Sequence, residues 1–226
     1  TALMAINYVQ KYFTNYSLDL IYALPKQTLD ELESELSMLS QISPPHLSFY
    51  QLTLEKGTPF YRQIKNPISD TLAAKMFNYV NHSLKKMGYI NYEISNFAKP
   101  HQECLHNMSY WNGDEYIGCG PTAASRIQIG KQWFEGKESI EPKDLHLTKI
   151  SARERMREMI ITGLRTKQGF NLGNLTKFNL ILDQVLDISK VSELSKQHLV
   201  KLSSTHLRVL TRGKLFLNYI NQEIIL

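Results

Sequence analysis

The chain has 226 residues, 42% of them hydrophobic, enough to bury the core of one large or two small domains. Two cysteines, Cys104 and Cys119, exclude a disulfide framework; no apolar run is long enough to cross a bilayer and no signal-peptide pattern opens the chain, so a cytoplasmic protein is expected. Residues 1–150 carry 14 Lys and Arg against 15 Asp and Glu, and residues 151–226 carry 12 against 6; a mild basic excess on helices is more commonly a solvated face than a nucleic-acid surface, so nucleic acid is not an expected partner.

Ala2, Leu3, Ala5, Ile6, Tyr8 and Val9 follow helical spacing from the outset, without an initiating methionine, which suggests a segment of a longer protein. Leu18, Leu20, Ile21 and Leu24 make a nearly continuous apolar run before Pro25, the pattern of a buried parallel strand. Thr28 opens a helix: its hydroxyl can cap free backbone donors while Glu31 reaches back, and Leu29, Leu32, Leu36 and Leu39 supply the buried stripe. Ser43, Pro44 and Pro45 end it. Residues 46–54 are predicted as a second strand, and Ser69 starts a second amphipathic helix through Leu72, Met76, Tyr79 and Val80, with Gly88 placed for a left-handed C-cap. Strand, helix, strand, helix is α/β construction.

Beyond Gly88 the pattern changes. Residues 89–97 read as a strand, 101–121 as a loop rich in His, Asn, Gly and aromatics, and about 126–134 as another strand. From Ser151, which forms a second capping box with Glu154, helices are predicted near 151–163, 178–189 and 192–201, then a short strand at 207–210 and a terminal helix from Thr211. A helical bundle ending in a strand pair is similar to a winged helix. Three parts follow: 1–88, an extension at 89–150, and a helical domain at 151–226.

Chemistry concentrates in few residues. Asp19 lies within an apolar strand, where a buried carboxylate needs partners; it serves either a ligand at the sheet edge or a structural contact. Gly118, Gly120 and Pro121 permit a tight turn, and a lone Gly-x-Gly is more commonly a turn than a ligand loop. Two cysteines cannot hold an iron–sulfur cluster; Cys119 reads as a small packed residue and Cys104 as a half-buried thiol. The other histidines, His46 among them, show no cluster spacing. His106, Asn107, Met108, Ser109, Tyr110 and Trp111 combine a ligand for haem iron, an amide able to fix its second nitrogen, and aromatic surface for a flat tetrapyrrole. The competing interpretation is a loop-anchoring histidine with two aromatics in the core.

Several strings occur in one order: Asp19-Leu-Ile-Tyr22-Ala-Leu-Pro25-Lys-Gln27-Thr28, His46-Leu-Ser-Phe-Tyr50-Gln-Leu-Thr53 with Gly57-Thr58-Pro59-Phe60, Tyr92-Glu93-Ile-Ser95-Asn96-Phe97-Ala98, His106-Asn107-x-x-Tyr110-Trp111 and Gly118-x-Gly120-Pro121. Together they resemble the HemW family of radical S-adenosylmethionine proteins, kin to oxygen-independent coproporphyrinogen III oxidase. The resemblance implies the C-terminal part of a partial (β/α) barrel over 1–88, a β and loop extension over 89–150, and a helical, winged-helix-like domain over 151–226. It implies that Asp19, Thr53 and Ala124 line an S-adenosylmethionine site, that His106, with Asn107, Tyr110 and Trp111, binds haem through its iron, and that the [4Fe–4S] ligands lie upstream of this chain. Where the family usually carries Gly-Pro-Gly-Ala-His-Ser-Arg, this chain has Thr122 for the second glycine and Ala124 for the histidine.

Three functions follow in descending order: binding haem and delivering it to acceptor proteins; oxidative decarboxylation of coproporphyrinogen III, which would make the parent an enzyme although this chain alone could not catalyse it; and a basic tail that binds nucleic acid or an acidic protein. Homodimer formation and peripheral membrane contact are left open by the sequence.

Overall fold

The computed structural model describes residues 2–64, 67–138 and 145–226. They form two compact units, divided between Cys104 and Leu105, in a mixed α/β fold.

The first unit begins with helix α1 (Ala2–Tyr12) and strand β1 (Ser17–Tyr22), followed by α2 (Leu29–Ile42) and β2 (His46–Gln51). The Thr28–Glu31 capping box forms as expected, and α2 ends where Ser43 turns left-handed at φ +46°. The short helix α3 (Pro59–Gln63) was not foreseen; the Thr58 hydroxyl caps it and Pro59 occupies its first turn. Helix α4 (Asp70–Lys86), capped by Ser69, buries Ala73, Met76, Phe77, Val80 and Leu84, and Gly88 follows at φ +82°. The segment read as one strand at 89–97 is instead a hairpin of β3 (Ile90–Asn91) and β4 (Asn96–Ala98), because Tyr92 to Ser95 form a turn held by the Glu93 carboxylate.

The sheet order is β1-β2-β4-β3, with β1 and β2 parallel and Asp19 level with Ser48. One face carries Leu18, Leu20, Tyr22, Leu47 and Phe49 into a core shared with α2 and α4, where Leu32, Leu47, Met76 and Leu84 are fully buried. Each such side chain contributes about 2 kcal/mol over an exposed one. The other face carries Ser17, Asp19 and Ile21 beside His46 and Ser48. The expectation of a strand buried on both faces is therefore corrected: β1 is parallel but half-buried, and Ile21 is 50% exposed. Asp19 lies on the exposed side of the pleat, so it bears no burial cost.

The second unit starts with helix α5 (Leu105–Asn112), inside the segment read as loop. A meander of β5 (Ala124–Ile129), β6 (Gln132–Glu138) and β7 (Leu145–Ile150) follows. The single strand expected at 126–134 is broken by a two-residue turn with Gly130 at φ +61°. Helix α6 (Ala152–Gly163) has the expected Ser151–Glu154 capping box. Strand β8 (Phe170–Asn171) and helix α7 (Gly173–Lys177) come next. The helix predicted at 178–189 does not form: Asn179 is left-handed at φ +53°, leaving only a 3₁₀ turn at Leu182–Gln184. Asp187 then caps α8 (Ile188–Lys196), so this helix starts earlier than expected, and residues assigned to its end form β9 (Val200–Leu202). With β10 (His206–Val209), β8 and β9 make an antiparallel sheet of order β8-β10-β9. A 3₁₀ segment at Thr211–Phe216 and helix α9 (Leu217–Ile224) end the unit. Among the described residues no helix is long and apolar enough to cross a membrane.

Candidate functional site

In the first unit, in-register pairing of β1 and β2 sets Ser17 beside His46. His46 is 3% exposed and bonded through both ring nitrogens: Nδ1 to Ser17 Oγ at 2.7 Å and Nε2 to the Tyr92 hydroxyl at 2.7 Å. Ser17 donates to Asp19 Oδ1 at 3.4 Å, and the Cys104 backbone N–H donates to the Tyr92 hydroxyl at 3.3 Å. A neutral ring satisfies all four contacts when Nδ1–H donates to Ser17 and Tyr92 donates to Nε2. Donors then run in one direction, from Cys104 through Tyr92, His46 and Ser17 to the Asp19 carboxylate. Burial pushes the imidazole below its ordinary range, partly offset by the charges of Asp19 and Glu103. Ser17, His46 and Tyr92 are the residues sequence reasoning passed over; strand register would have joined Ser17 to His46.

Thr53 lies two residues past the end of β2, exposed, with its hydroxyl directed to the Gln51 carbonyl at 3.5 Å. Asp19 and Thr53 thus belong to the first unit, whereas Ala124 and the residues from His106 to Trp111 belong to the second.

Helix α5 orders the motif in the second unit. His106 and Tyr110, one turn apart, meet edge to face with ring centroids 4.9 Å apart, and Tyr110 meets Tyr116 at 4.6 Å. His106 is exposed, and among the described residues no hydrogen bond engages either of its ring nitrogens. Asn107 and Trp111 are half-buried. Trp111 points away from the His106 side: the Arg165 guanidinium covers its ring at 4.8 Å, and its buried Nε1 has no hydrogen-bond partner among the described residues.

The end of α5 is anchored. Gly113 N–H donates to Tyr110 O and Asp114 N–H to Ser109 O, with Gly113 at φ +74°, the pattern of a Schellman stop. Arg155 donates to the Gly113 carbonyl at 2.6 Å and to Glu158 at 2.9 Å, while Arg126 makes a two-pronged contact with Glu158, the shortest at 2.8 Å. Burial alone would raise the Glu158 carboxyl, but the bonds from Arg126 and Arg155 outweigh it and hold it below the ordinary range.

Ala124 opens β5 and is exposed. The Gly-x-Gly segment before it is a turn, closed by Ala123 N–H to Gly120 O at 3.0 Å. Thr122, where the family pattern carries glycine, sits at φ +65°, a costly conformation for a β-branched side chain. Cys119 is exposed rather than packed, because Gly118 is the close-packed member: a Cβ there would fall 2.4 Å from the Ala124 carbonyl oxygen. Cys104 is half-buried as expected. Among the described residues no group of three His, Cys, Asp or Glu is gathered to hold a metal ion, so these residues do not fit an iron–sulfur cluster. A single open imidazole at His106 does fit an axial haem ligand.

Residues 150–216 match the HemN C-terminal domain. A heme chaperone HemW of Buchnera aphidicola subsp. Schizaphis graminum is 40% identical over 126 residues, covering 56% of this chain and 34% of that protein. HemW of Lactococcus lactis subsp. lactis is 32% identical over 167 residues, covering 70% and 44%. The Danio rerio protein named radical S-adenosyl methionine domain-containing protein 1, mitochondrial, is 30% identical over 234 residues, covering 93% and 52%. The solved structure of coproporphyrinogen III oxidase (HemN) from Escherichia coli, described as a radical SAM enzyme, matches 98% of this chain and 57% of its own with a TM-score of 0.76 and 19% identity, a likeness of fold. The chain spans about a third to a half of the length of the three relatives named here.

Proposed function

The chain belongs to the HemW/HemN-like radical S-adenosylmethionine family, and from that premise we propose that it forms the haem-holding part of a chaperone that binds haem at His106 and delivers it to acceptor proteins in the cytoplasm. The observation that carries this reading is the His106 imidazole, exposed on α5 with neither nitrogen engaged among the described residues. A haem iron can take one nitrogen without breaking any protein hydrogen bond. Tyr110 braces the ring from its edge, while Asn107 and Trp111 frame the rest of the motif. A ligand on a short exposed helix suits cargo that must leave again.

In this proposal Asp19, Thr53 and Ala124 contact S-adenosylmethionine, Asp19 through the carboxylate that accepts the Ser17 hydroxyl. The [4Fe–4S] cluster, held by other residues of the full-length parent, supplies electron transfer to S-adenosylmethionine when bound. We assign residues 1–88 to the end of a partial (β/α) barrel, 89–150 to an extension bearing the haem motif, and 151–226 to a winged-helix-like domain.

The test is to add haemin to the full-length protein and to His106→Ala and to compare Soret spectra. A shifted, weakened band in the variant is expected; identical tight binding would remove His106 as the ligand.

A further inference from the structure

Asp19 stands on the exposed side of the β1 pleat, where a carboxylate free to turn would lose rotamer entropy each time it met a ligand. Its Oδ1 is not free: Ser17, two residues earlier on the same face of the strand, donates to it at 3.4 Å. Ser48 is level with Asp19 on β2 but gives its proton to Asn96 Oδ1 at 3.2 Å, which leaves Ser17 as the hydroxyl that serves the carboxylate. Among the described residues Oδ2 of Asp19 accepts no hydrogen bond.

Ser17 serves Asp19 only while its own direction is fixed. A hydroxyl has one proton, and His46 Nδ1, 2.7 Å from Ser17 Oγ, either donates and leaves that proton for Asp19 or accepts and takes it away. The far side of the ring decides between the two. The Cys104 backbone N–H can only donate, and it reaches the Tyr92 hydroxyl at 3.3 Å; Tyr92 in turn lies 2.7 Å from His46 Nε2. The tautomer that gives every group a partner has Tyr92 donating to Nε2 and the ring hydrogen on Nδ1. The ring is 3% exposed and cannot turn over without breaking bonds on both sides. We propose, resting on Asp19 as an S-adenosylmethionine contact, that Ser17, His46 and Tyr92 are positioning residues for that ligand: a one-way hydrogen-bond chain rooted in a buried ring that holds Asp19 Oδ1 and leaves Oδ2 for a donor group of S-adenosylmethionine.

Calorimetry on the full-length, cluster-loaded protein measures S-adenosylmethionine binding in the native sequence, Ser17→Ala, Ser17→Thr, Asp19→Asn and the Ser17→Ala, Asp19→Asn pair. Both positions are exposed, so the core is left intact. Ser17→Ala is expected to weaken binding about fivefold, the equivalent of one hydrogen bond, while Ser17→Thr keeps the hydroxyl and the native affinity. In the Asp19→Asn background Ser17→Ala should change nothing further, because its effect runs through the carboxylate. A merely structural hydroxyl would lower the melting temperature without moving the affinity. Undiminished affinity in Ser17→Ala, or an equal further loss in the Asp19→Asn background, would overturn the proposal while Asp19 stands as a contact; native affinity in Asp19→Asn would remove Asp19 and the proposal together. A second measurement needs no ligand. In the same protein labelled at its histidine nitrogens and held at about pH 8, above the ordinary histidine range, nitrogen NMR should show His46, identified by its loss in His46→Gln, protonated at Nδ1 and bare at Nε2. The reverse tautomer would make Ser17 a donor to His46 and overturn the proposal by itself. None of these outcomes bears on His106, whose haem binding is read separately in the Soret region.

Discussion

His46 and His106 are the same side chain put to opposite uses by the two units. His46 is buried at the head of β2 with both nitrogens bonded at 2.7 Å, and it links Ser17 and Asp19 on one strand to Tyr92 in the turn of the β3–β4 hairpin. His106 is exposed on α5 with neither nitrogen engaged among the described residues. A histidine with both nitrogens occupied orients its neighbours but can ligate iron only by giving up a buried hydrogen bond. One with both free ligates at no cost to the fold. Availability, more than proximity to aromatics, separates the ligand candidate from the structural one.

The second region can be broken without touching its motif. Glu158→Ala leaves the buried Arg155 without its carboxylate and the half-buried Arg126 with the longer contact to Glu135, and releases the hold of Arg155 on the end of α5. A loss of about 3 kcal/mol is expected in urea titrations, with weaker haemin binding as the consequence; unchanged stability would mean that the cluster does not anchor α5. The first region is sharpened by His46→Gln, which should cost about 1.5 kcal/mol by leaving Tyr92 and Ser17 poorly paired. Its pH signature is more telling. Because burial depresses the folded imidazole, the unfolded chain takes up a proton first as pH falls. Stability from this group is therefore full above about 6.5 and declines below it until the folded ring also protonates. Denaturation midpoints across pH 5–8 should show that decline in the native chain and lose part of it in His46→Gln. The smallest effect has the opposite sign: Thr122→Gly relieves a left-handed β-branched residue and should gain about 0.5 kcal/mol, the difference between strain relief and glycine's entropy cost.

Legibility of the fold in the sequence followed local hydrogen-bond chemistry. Thr28 with Glu31 and Ser151 with Glu154 marked the starts of α2 and α6 to the residue, because a capping box spans four consecutive residues and needs no tertiary context. Helix α5 was read as loop because its eight residues lack an apolar stripe and a cap; packing of Trp111 under Arg165 and the bonds at Gly113 hold it instead. The turn at Gly130 and the left-handed Asn179 fell inside runs of acceptable periodicity and were missed for that reason. For the candidate site, the motif from His106 to Trp111 was visible as composition, but the opposed directions of His106 and Trp111 required the helix. The chain from Ser17 through His46 to Tyr92 depended on strand register, which no local pattern encodes.

The central claim, that His106 offers an open imidazole to haem, is tested most directly by chemical rescue in the full-length protein. With haemin bound, His106→Gly is predicted to lose the histidine-ligated Soret position and to regain it on addition of millimolar imidazole, while His46→Gln keeps the native spectrum throughout. An unaltered spectrum in His106→Gly, or an equal loss in His46→Gln, would contradict the account.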